Sequence, residues 1–108
     1  MSIRSLGLAA VLALCVAVPS QAAQSTKGTQ TAYRYALRCF VLAGTADPRG
    51  AKAAYDAAIR LGGVQGLSNR QMNRDFADAI ATENIRFLRD QPYRQRVQAE
   101  CRQLGMAS

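Results

Sequence analysis

Residues 31–43, TAYRYALRCFVLA, decide the fold, because they predict a helix whose circumference is apolar almost all the way round. Only Arg34 and Arg38 interrupt that apolar surface. A helix of this kind is usually the central one of its domain, so we expect Cys39 to lie in the core. Gly44 follows directly and predicts the end of the helix. The apolar positions are Tyr33, Leu37 and Val41 on one face and Tyr35, Cys39 and Leu42 on the adjacent face.

Two more helices are predicted after this stretch by their start signals. Asp47, followed by proline, is a favoured N-cap for a second helix, which we expect to stop at the glycine pair 62–63. Ser68 and Gln71 have the spacing of a capping box for a third helix, which we expect to run to about Arg89. The expected buried stripes are Ala51, Ala54, Tyr55, Ala58 and Ile59 in the second helix, and Met72, Phe76, Ala79, Ile80 and Phe87 in the third.

A fourth helix is predicted from Pro92 to Leu104, with Gly105 closing it. No segment alternates apolar and polar residues for long enough to predict a strand. Four helices joined by short connections indicate an all-α fold, a small four-helix bundle over residues 31–105, preceded by a polar arm at 23–30.

Residues 1–22 predict a cleavable signal peptide. Arg4 precedes an apolar run at 6–18, and the small residues in Ser20-Gln21-Ala22 suit cleavage after Ala22. The run is shorter than the roughly 20 residues that a membrane-spanning helix needs. Cys15 does not complete a lipoprotein signal, because the residue before it is a bulky leucine. We expect a periplasmic or secreted protein without a transmembrane segment in the mature chain; an uncleaved anchor or a lipoprotein is the alternative.

Cysteine usage predicts one disulfide. Cleavage of the signal peptide leaves Cys39 and Cys101, an even number in an oxidising compartment. Both lie on predicted core faces, one on the first helix and one on the last. Their bond closes a loop of about 62 residues and stabilises the domain by about 4 kcal/mol in the chain-entropy model. An intermolecular bridge or two free thiols are the alternatives.

The chain is strongly basic, with 14 Lys and Arg residues against 7 Asp and Glu residues. Loss of Arg4 with the signal peptide leaves a net charge of +6. Such a charge suggests nucleic acid in a cytosolic protein, but export removes that partner. We therefore expect anionic envelope components or an acidic protein, which arginine is suited to bind. The alternative is that the charge serves solubility alone.

The residue types that catalysis and metal binding need are scarce. The sequence has no His, the commonest general base and metal ligand near neutral pH. We therefore expect no enzyme activity, no metal and no cofactor. Four carboxylates each follow a basic residue by four positions, which predicts exposed helix pairs: Lys52–Asp56, Arg74–Asp78, Arg86–Asp90 and Arg96–Glu100.

Glu83 is the exception among the carboxylates, because it falls within the predicted apolar stripe of the third helix. An uncompensated buried charge costs several kcal/mol. We therefore expect an arginine or a tyrosine hydroxyl as its partner. The alternatives are a position at the rim of a groove or at a kink in the helix, and Glu83 is a candidate binding residue.

Two other places supply candidate binding residues. Gly63, Gly66 and Arg70 surround the start of the third helix, where free N–H groups attract anions. A helix end and a turn account for the same glycines. Arg34 and Arg38, next to Tyr33, Tyr35 and Tyr55, suggest a cationic and aromatic patch, with core packing of the tyrosines as the alternative.

The segment Tyr35-Ala36-Leu37-Arg38-Cys39, followed by a second Cys 62 positions later, resembles the periplasmic immunity proteins that neutralise type VI secretion amidase effectors. The resemblance covers this motif and the Cys spacing. It implies a small, exported, helical, disulfide-bearing protein that blocks an amidase active site. The chain also resembles short secreted proteobacterial proteins of unassigned function.

The sequence thus predicts an exported binding module, with a protein in the periplasm as its partner and with inhibitor-like or immunity-like action. The alternative is a basic structural or stress protein of the envelope that contacts anionic lipid or polysaccharide.

Overall fold

The computed structural model describes residues 27–108, and four α-helices account for most of them. The predicted all-α bundle is confirmed, and the described residues include no strand. The predicted signal peptide at 1–22 lies outside the described residues. Residues 27–30, assigned above to the polar arm, are helical. The helices are α1 at 27–43, α2 at Pro48–Val64, α3 at Asn69–Arg89 and α4 at Gln91–Gln103.

Helix α1 is the central element, as its nearly continuous apolar surface predicts. Ala36, Cys39 and Val41 are buried on it. Phe40 contacts the ring of Phe76 from α3 edge-on, with the centroids 5.1 Å apart. Phe76 in turn stacks with Tyr55 from α2 at 5.3 Å. Three helices therefore meet around one aromatic cluster, which hydrophobic burial and ring contacts stabilise.

The predicted disulfide is confirmed. Cys39 and Cys101 are bonded, with their Cα atoms 5.7 Å apart, and the bond joins α1 to α4. Both cysteines are almost completely buried, as is the neighbouring Val97. The first and last helices are therefore held together in the centre of the core.

Helix α2 does not stop at the glycine pair 62–63, as the sequence analysis predicted, but continues to Val64. Gly62 is buried inside the helix, where a Cβ atom would collide with Met72 and would lie 3.1 Å from the ring of Tyr33. The residue that ends the helix is Gly66, which adopts a left-handed φ of 77°. Gly62 thus serves close helix packing, and not termination.

Only one of the two hydrogen bonds of the predicted capping box forms at the start of α3. The backbone N–H of Gln71 donates to the Ser68 hydroxyl at 3.1 Å. The side chain of Gln71 donates to Asp75 instead of returning to the backbone of Ser68. The reciprocal bond of a capping box is therefore absent here, because Asp75 offers a charged acceptor one turn along the same helix.

The C-terminal residues are joined to the start of α2 through a single carboxylate. Asp47 caps α2 by accepting from the N–H of Gly50 at 3.1 Å. It also accepts from the backbone N–H of Ser108 at 2.9 Å and from the Ser108 hydroxyl at 2.6 Å. Met106, just before this contact, is buried in the core. The C-terminal residues are thus part of the domain.

Two residues of the predicted buried stripes, Tyr55 in α2 and Ile80 in α3, lie at the surface instead, and Leu104 at the end of α4 is also exposed. Within the described part of the chain, none of the helices combines the length and the apolarity that crossing a bilayer requires.

Candidate functional site

A cleft of about 550 Å³ lies between α1 and α3 and is lined by five charged residues. Arg34 and Arg38 line it from α1, while Asp75, Asp78 and Glu83 line it from α3. We call these five residues and the space between them the polar cleft. Gln65 and Leu67, from the connection between α2 and α3, also line it.

Glu83 has both of the partners that its position predicts, so that prediction is confirmed. The hydroxyl of Tyr93 donates to Glu83 Oε2 at 2.7 Å. Arg38 Nε lies 3.4 Å from Glu83 Oε1, which forms an ion pair between α1 and α3. The Glu83 side chain is 13 % exposed. A carboxylate that is nearly buried is therefore compensated by one charge and one hydrogen bond.

A second carboxylate, Asp75, is held in a similar way. The hydroxyl of Tyr33 donates to Asp75 Oδ2 at 2.8 Å. Gln71 Nε2 donates to Asp75 Oδ1 at 2.9 Å. Both oxygens of Asp75 are thus engaged, so the carboxylate has a defined orientation along the cleft.

The pKa values of Tyr33 and Tyr93 lie above the ordinary tyrosine value. Burial, followed by the hydrogen bond from its hydroxyl to Asp75, raises the pKa of Tyr33 well above the ordinary tyrosine value. Burial and then the hydrogen bond to Glu83 raise the pKa of Tyr93, which the charges of Arg38 and Arg86 partly offset. Both hydroxyls therefore remain donors throughout the physiological range.

The structure brings only some of the sequence-predicted binding residues together. Arg34, Arg38 and Glu83 share the polar cleft. Gly63, Gly66 and Arg70 do not line it. The N–H of Gly66 donates to the carbonyl of Gly63 at 3.0 Å, which closes the turn after α2. The loop thus has the ordinary helix-end geometry that was the alternative interpretation.

The tyrosines near α1 do not form one cationic and aromatic patch. Tyr33 is buried and faces Asp75. Tyr55 stacks on Phe76. Of these three tyrosines, Tyr35 alone has an arginine of the described residues near its ring, with Arg38 Cζ 5.4 Å from the centroid. Core packing, the alternative stated above, accounts for Tyr33, whereas Tyr55 is 46 % exposed.

Of the four predicted surface pairs, Lys52–Asp56 alone forms an ion pair within residues 27–108, at 2.9 Å. Asp90 instead caps α4 by accepting from the N–H of Tyr93 at 3.0 Å. Arg86 and Arg96 lie against the ring of Tyr93 and not beside carboxylates. Of these contacts, the one between Arg86 on α3 and Tyr93 on α4 joins two helices, whereas those of Asp90 and Arg96 are local.

The sequence analysis missed Asp75 and Asp78 as site residues and did not connect Tyr33 with Asp75. Gln71 and Asp75 are four residues apart, which places them along one edge of the α3 stripe, to one side of Glu83. That polar edge is the signal that could have revealed Asp75. Nothing in the sequence pairs it with Tyr33, 42 residues away.

A second groove, between α1, α2 and the end of α4, has a volume of about 970 Å³ and contains none of the predicted binding residues. Ala32, Ala57 and Leu61 contribute to its largely apolar lining. No group of three or more His, Cys, Asp or Glu residues that could hold a metal ion occurs between residues 27 and 108.

Chemically, the polar cleft offers fixed hydrogen-bond acceptors on one wall and guanidinium donors on the other. Asp75 and Glu83 are oriented by tyrosine hydroxyls, whereas Arg34 is exposed and makes no ion pair with a described residue. This arrangement suits recognition of a ligand that carries both signs of charge. In comparisons with protein-family models, curated proteins and solved structures, nothing matches this chain.

Proposed function

We propose that the protein is an exported binding module, and not an enzyme, which holds a segment of a protein partner in the polar cleft. The single observation that supports this is the pair of oppositely charged walls. Arg34 and Arg38 face Asp75 and Glu83 across one cleft, and the acidic side is held in place by tyrosines.

The lining favours a protein partner over a small apolar ligand. Pockets for small molecules are lined mainly by hydrophobic and aromatic side chains. The polar cleft instead carries five charged residues and several amides and hydroxyls. A protein segment can offer both an acidic and a basic side chain to such walls, which provides specificity.

Rigidity supports the same proposal. Asp75 and Glu83 each accept from a tyrosine on another helix, and Cys39, one residue after Arg38, is bonded to Cys101. Side chains that are ordered before binding lose less conformational entropy when the complex forms. An inhibitor or immunity protein that blocks an active site would benefit from this property.

The test is capture of a partner from an envelope extract by the oxidised chain from Ala23 onwards. Arg34→Glu reverses a charge in the cleft without removing an ion pair of a described residue. Arg49→Glu is the matched control, because Arg49 is equally exposed but does not line the cleft. We expect one stoichiometric protein that survives moderate salt, is lost with Arg34→Glu and is retained with Arg49→Glu.

Two results would contradict the proposal. Equal loss with both variants would mean that capture depends on total charge. Retention of the partner by Arg34→Glu would place the binding surface outside the cleft. Circular dichroism of both variants, unchanged from the parent, would show that neither result comes from unfolding.

A further inference from the structure

The junction between α3 and α4 carries a dense group of basic residues that the polar cleft does not use. Four arginines occur within the eleven residues from 86 to 96. All four are exposed. We call them the arginine patch: Arg86, Arg89, Arg94 and Arg96.

The patch has a rigid centre, the ring of Tyr93. Arg86 Cζ lies 3.6 Å from the ring centroid and Arg96 Cζ lies 5.4 Å from it. The ring also stacks on Phe87 at 5.4 Å, and its hydroxyl is held by Glu83. Stacking on an aromatic ring orients a guanidinium group and leaves the donors at its edge available.

No carboxylate of the described residues neutralises the patch by an ion pair. Glu83 and Asp90 are the two acidic residues between positions 83 and 96. Glu83 is engaged by Arg38 and Tyr93, whereas Asp90 caps α4. The edge donors of the patch therefore face solvent and are suited to bidentate contacts with phosphate oxygens.

Two exposed apolar side chains lie next to the patch on α3. Leu88 is 75 % exposed and Ile85 is 52 % exposed. At 100° per residue, Arg89 lies between Arg86 and Ile85 around the helix, and Leu88 follows Ile85. On α3, Arg86 and Arg89 thus share one continuous face with Ile85 and Leu88, and this mixture of basic and large apolar residues is typical of segments that lie in a membrane interface.

We infer that this face binds a membrane surface whose headgroups carry anionic phosphate. The arginine guanidinium groups contact phosphate oxygens, while Leu88 and Ile85 enter the headgroup layer. Charge complementarity favours this occupant over an acidic protein. Headgroups move laterally and match any spacing of the guanidinium groups, whereas a protein must present fixed carboxylates in register with them. The inference does not rest on the polar cleft, since none of the four arginines lines it.

The test is flotation of the oxidised chain from Ala23 onwards with vesicles. One set contains phosphatidylcholine with one third phosphatidylglycerol, and the other contains phosphatidylcholine alone. We expect binding to the anionic vesicles only, and a steep loss between about 50 mM and about 500 mM salt.

Arg89→Glu/Arg94→Glu is the informative variant, because both side chains are exposed and neither contacts another described residue through a hydrogen bond or ion pair. Arg49→Glu/Arg60→Glu on α2 is the control with the same net charge. We expect at least about a tenfold loss of vesicle affinity for the first variant and less than about threefold for the second. Leu88→Ser should weaken the binding that remains at the higher salt concentration.

Equal loss in the two double variants would overturn the inference, because total charge would then explain the binding. Failure of the parent chain to bind anionic vesicles would also overturn it. Displacement by inorganic phosphate at matched ionic strength would assign the patch to a soluble phosphate compound, and equally tight binding to polyglutamate would assign it to an acidic protein. Capture of a protein partner by the Arg89→Glu/Arg94→Glu variant tests the polar cleft separately.

Discussion

Removal of the disulfide between Cys39 and Cys101 should cause a large loss of stability. The bond between Cys39 and Cys101 spans 62 positions of sequence and joins the first helix to the last. Closing a loop of that length in the unfolded chain corresponds to about 4 kcal/mol of stability in the chain-entropy model. A domain of this size has a total stability of only about 4–12 kcal/mol, so the bond supplies a large share of it.

Two measurements separate the cross-link from the packing of its sulfur atoms. Reduction of the parent chain removes the covalent bond but leaves both side chains in the core. Cys39→Ala/Cys101→Ala removes the bond and also leaves small cavities, because both cysteines are almost fully buried. We expect reduction to lower the free energy of unfolding by about 4 kcal/mol, and the double variant to lose about 1–2 kcal/mol more.

The assay is urea unfolding followed by far-ultraviolet circular dichroism, on the chain from Ala23 onwards so that Cys15 is absent. A loss of about 4 kcal/mol corresponds to a decrease in melting temperature of more than about 10 °C for a domain this small. The double variant is its own control, because a reducing agent should not change its curve. A loss below about 1 kcal/mol on reduction would refute the loop-entropy reasoning.

Three further predictions concern the core and the polar cleft. Gly62→Ala should destabilise the domain by about 1–3 kcal/mol by overpacking, because a Cβ atom there meets core side chains; an unchanged urea midpoint would contradict the close packing. Arg38→Ala should lower the free energy of unfolding by about 1 kcal/mol, because Glu83 then keeps only its tyrosine partner. Arg34 has no ion pair to lose among the described residues, so Arg34→Ala should change the free energy of unfolding by less than about 0.5 kcal/mol. The pKa of Tyr33 is higher in the folded state than in the unfolded chain. The contribution of Tyr33 to stability is therefore complete below the tyrosine pKa of the unfolded chain, about 10, and declines as the pH rises above that value. Urea midpoints measured across that range should fall less steeply for Tyr33→Phe than for the parent.

Local sequence signals were sufficient for most of the helix pattern and for the disulfide. Asp47 and Ser68 cap α2 and α3 as predicted, because an N-cap side chain bonds to a backbone N–H only three residues away. The polar partners of Glu83 were also predictable as residue types. A carboxylate within an apolar stripe requires a donor, and Arg38 and Tyr93 provide it.

The identity of the polar cleft was decided by tertiary structure. Asp75 meets Tyr33 only because α3 packs beside α1, and the sequence carries no sign of that pairing. The packing of α2 and of α4 against α3 explains two wrong predictions. Gly62, which was expected to end α2, lies inside it so that Met72 can approach. Arg86, which was expected to pair with an acidic residue on its own helix, lies on a tyrosine ring of the next one.

Some features could be predicted from the sequence and others could not, because the interactions that determine them act over different distances along the chain. Caps, helical periodicity and the chemistry of cysteine depend on a few neighbouring residues or on the compartment, so the sequence by itself determined an all-α, disulfide-linked domain. The contacts between side chains of different helices depend on how all the helices pack together to bury their apolar surfaces. Only the tertiary structure therefore decided where the charged walls of the polar cleft lie and which arginines remain exposed.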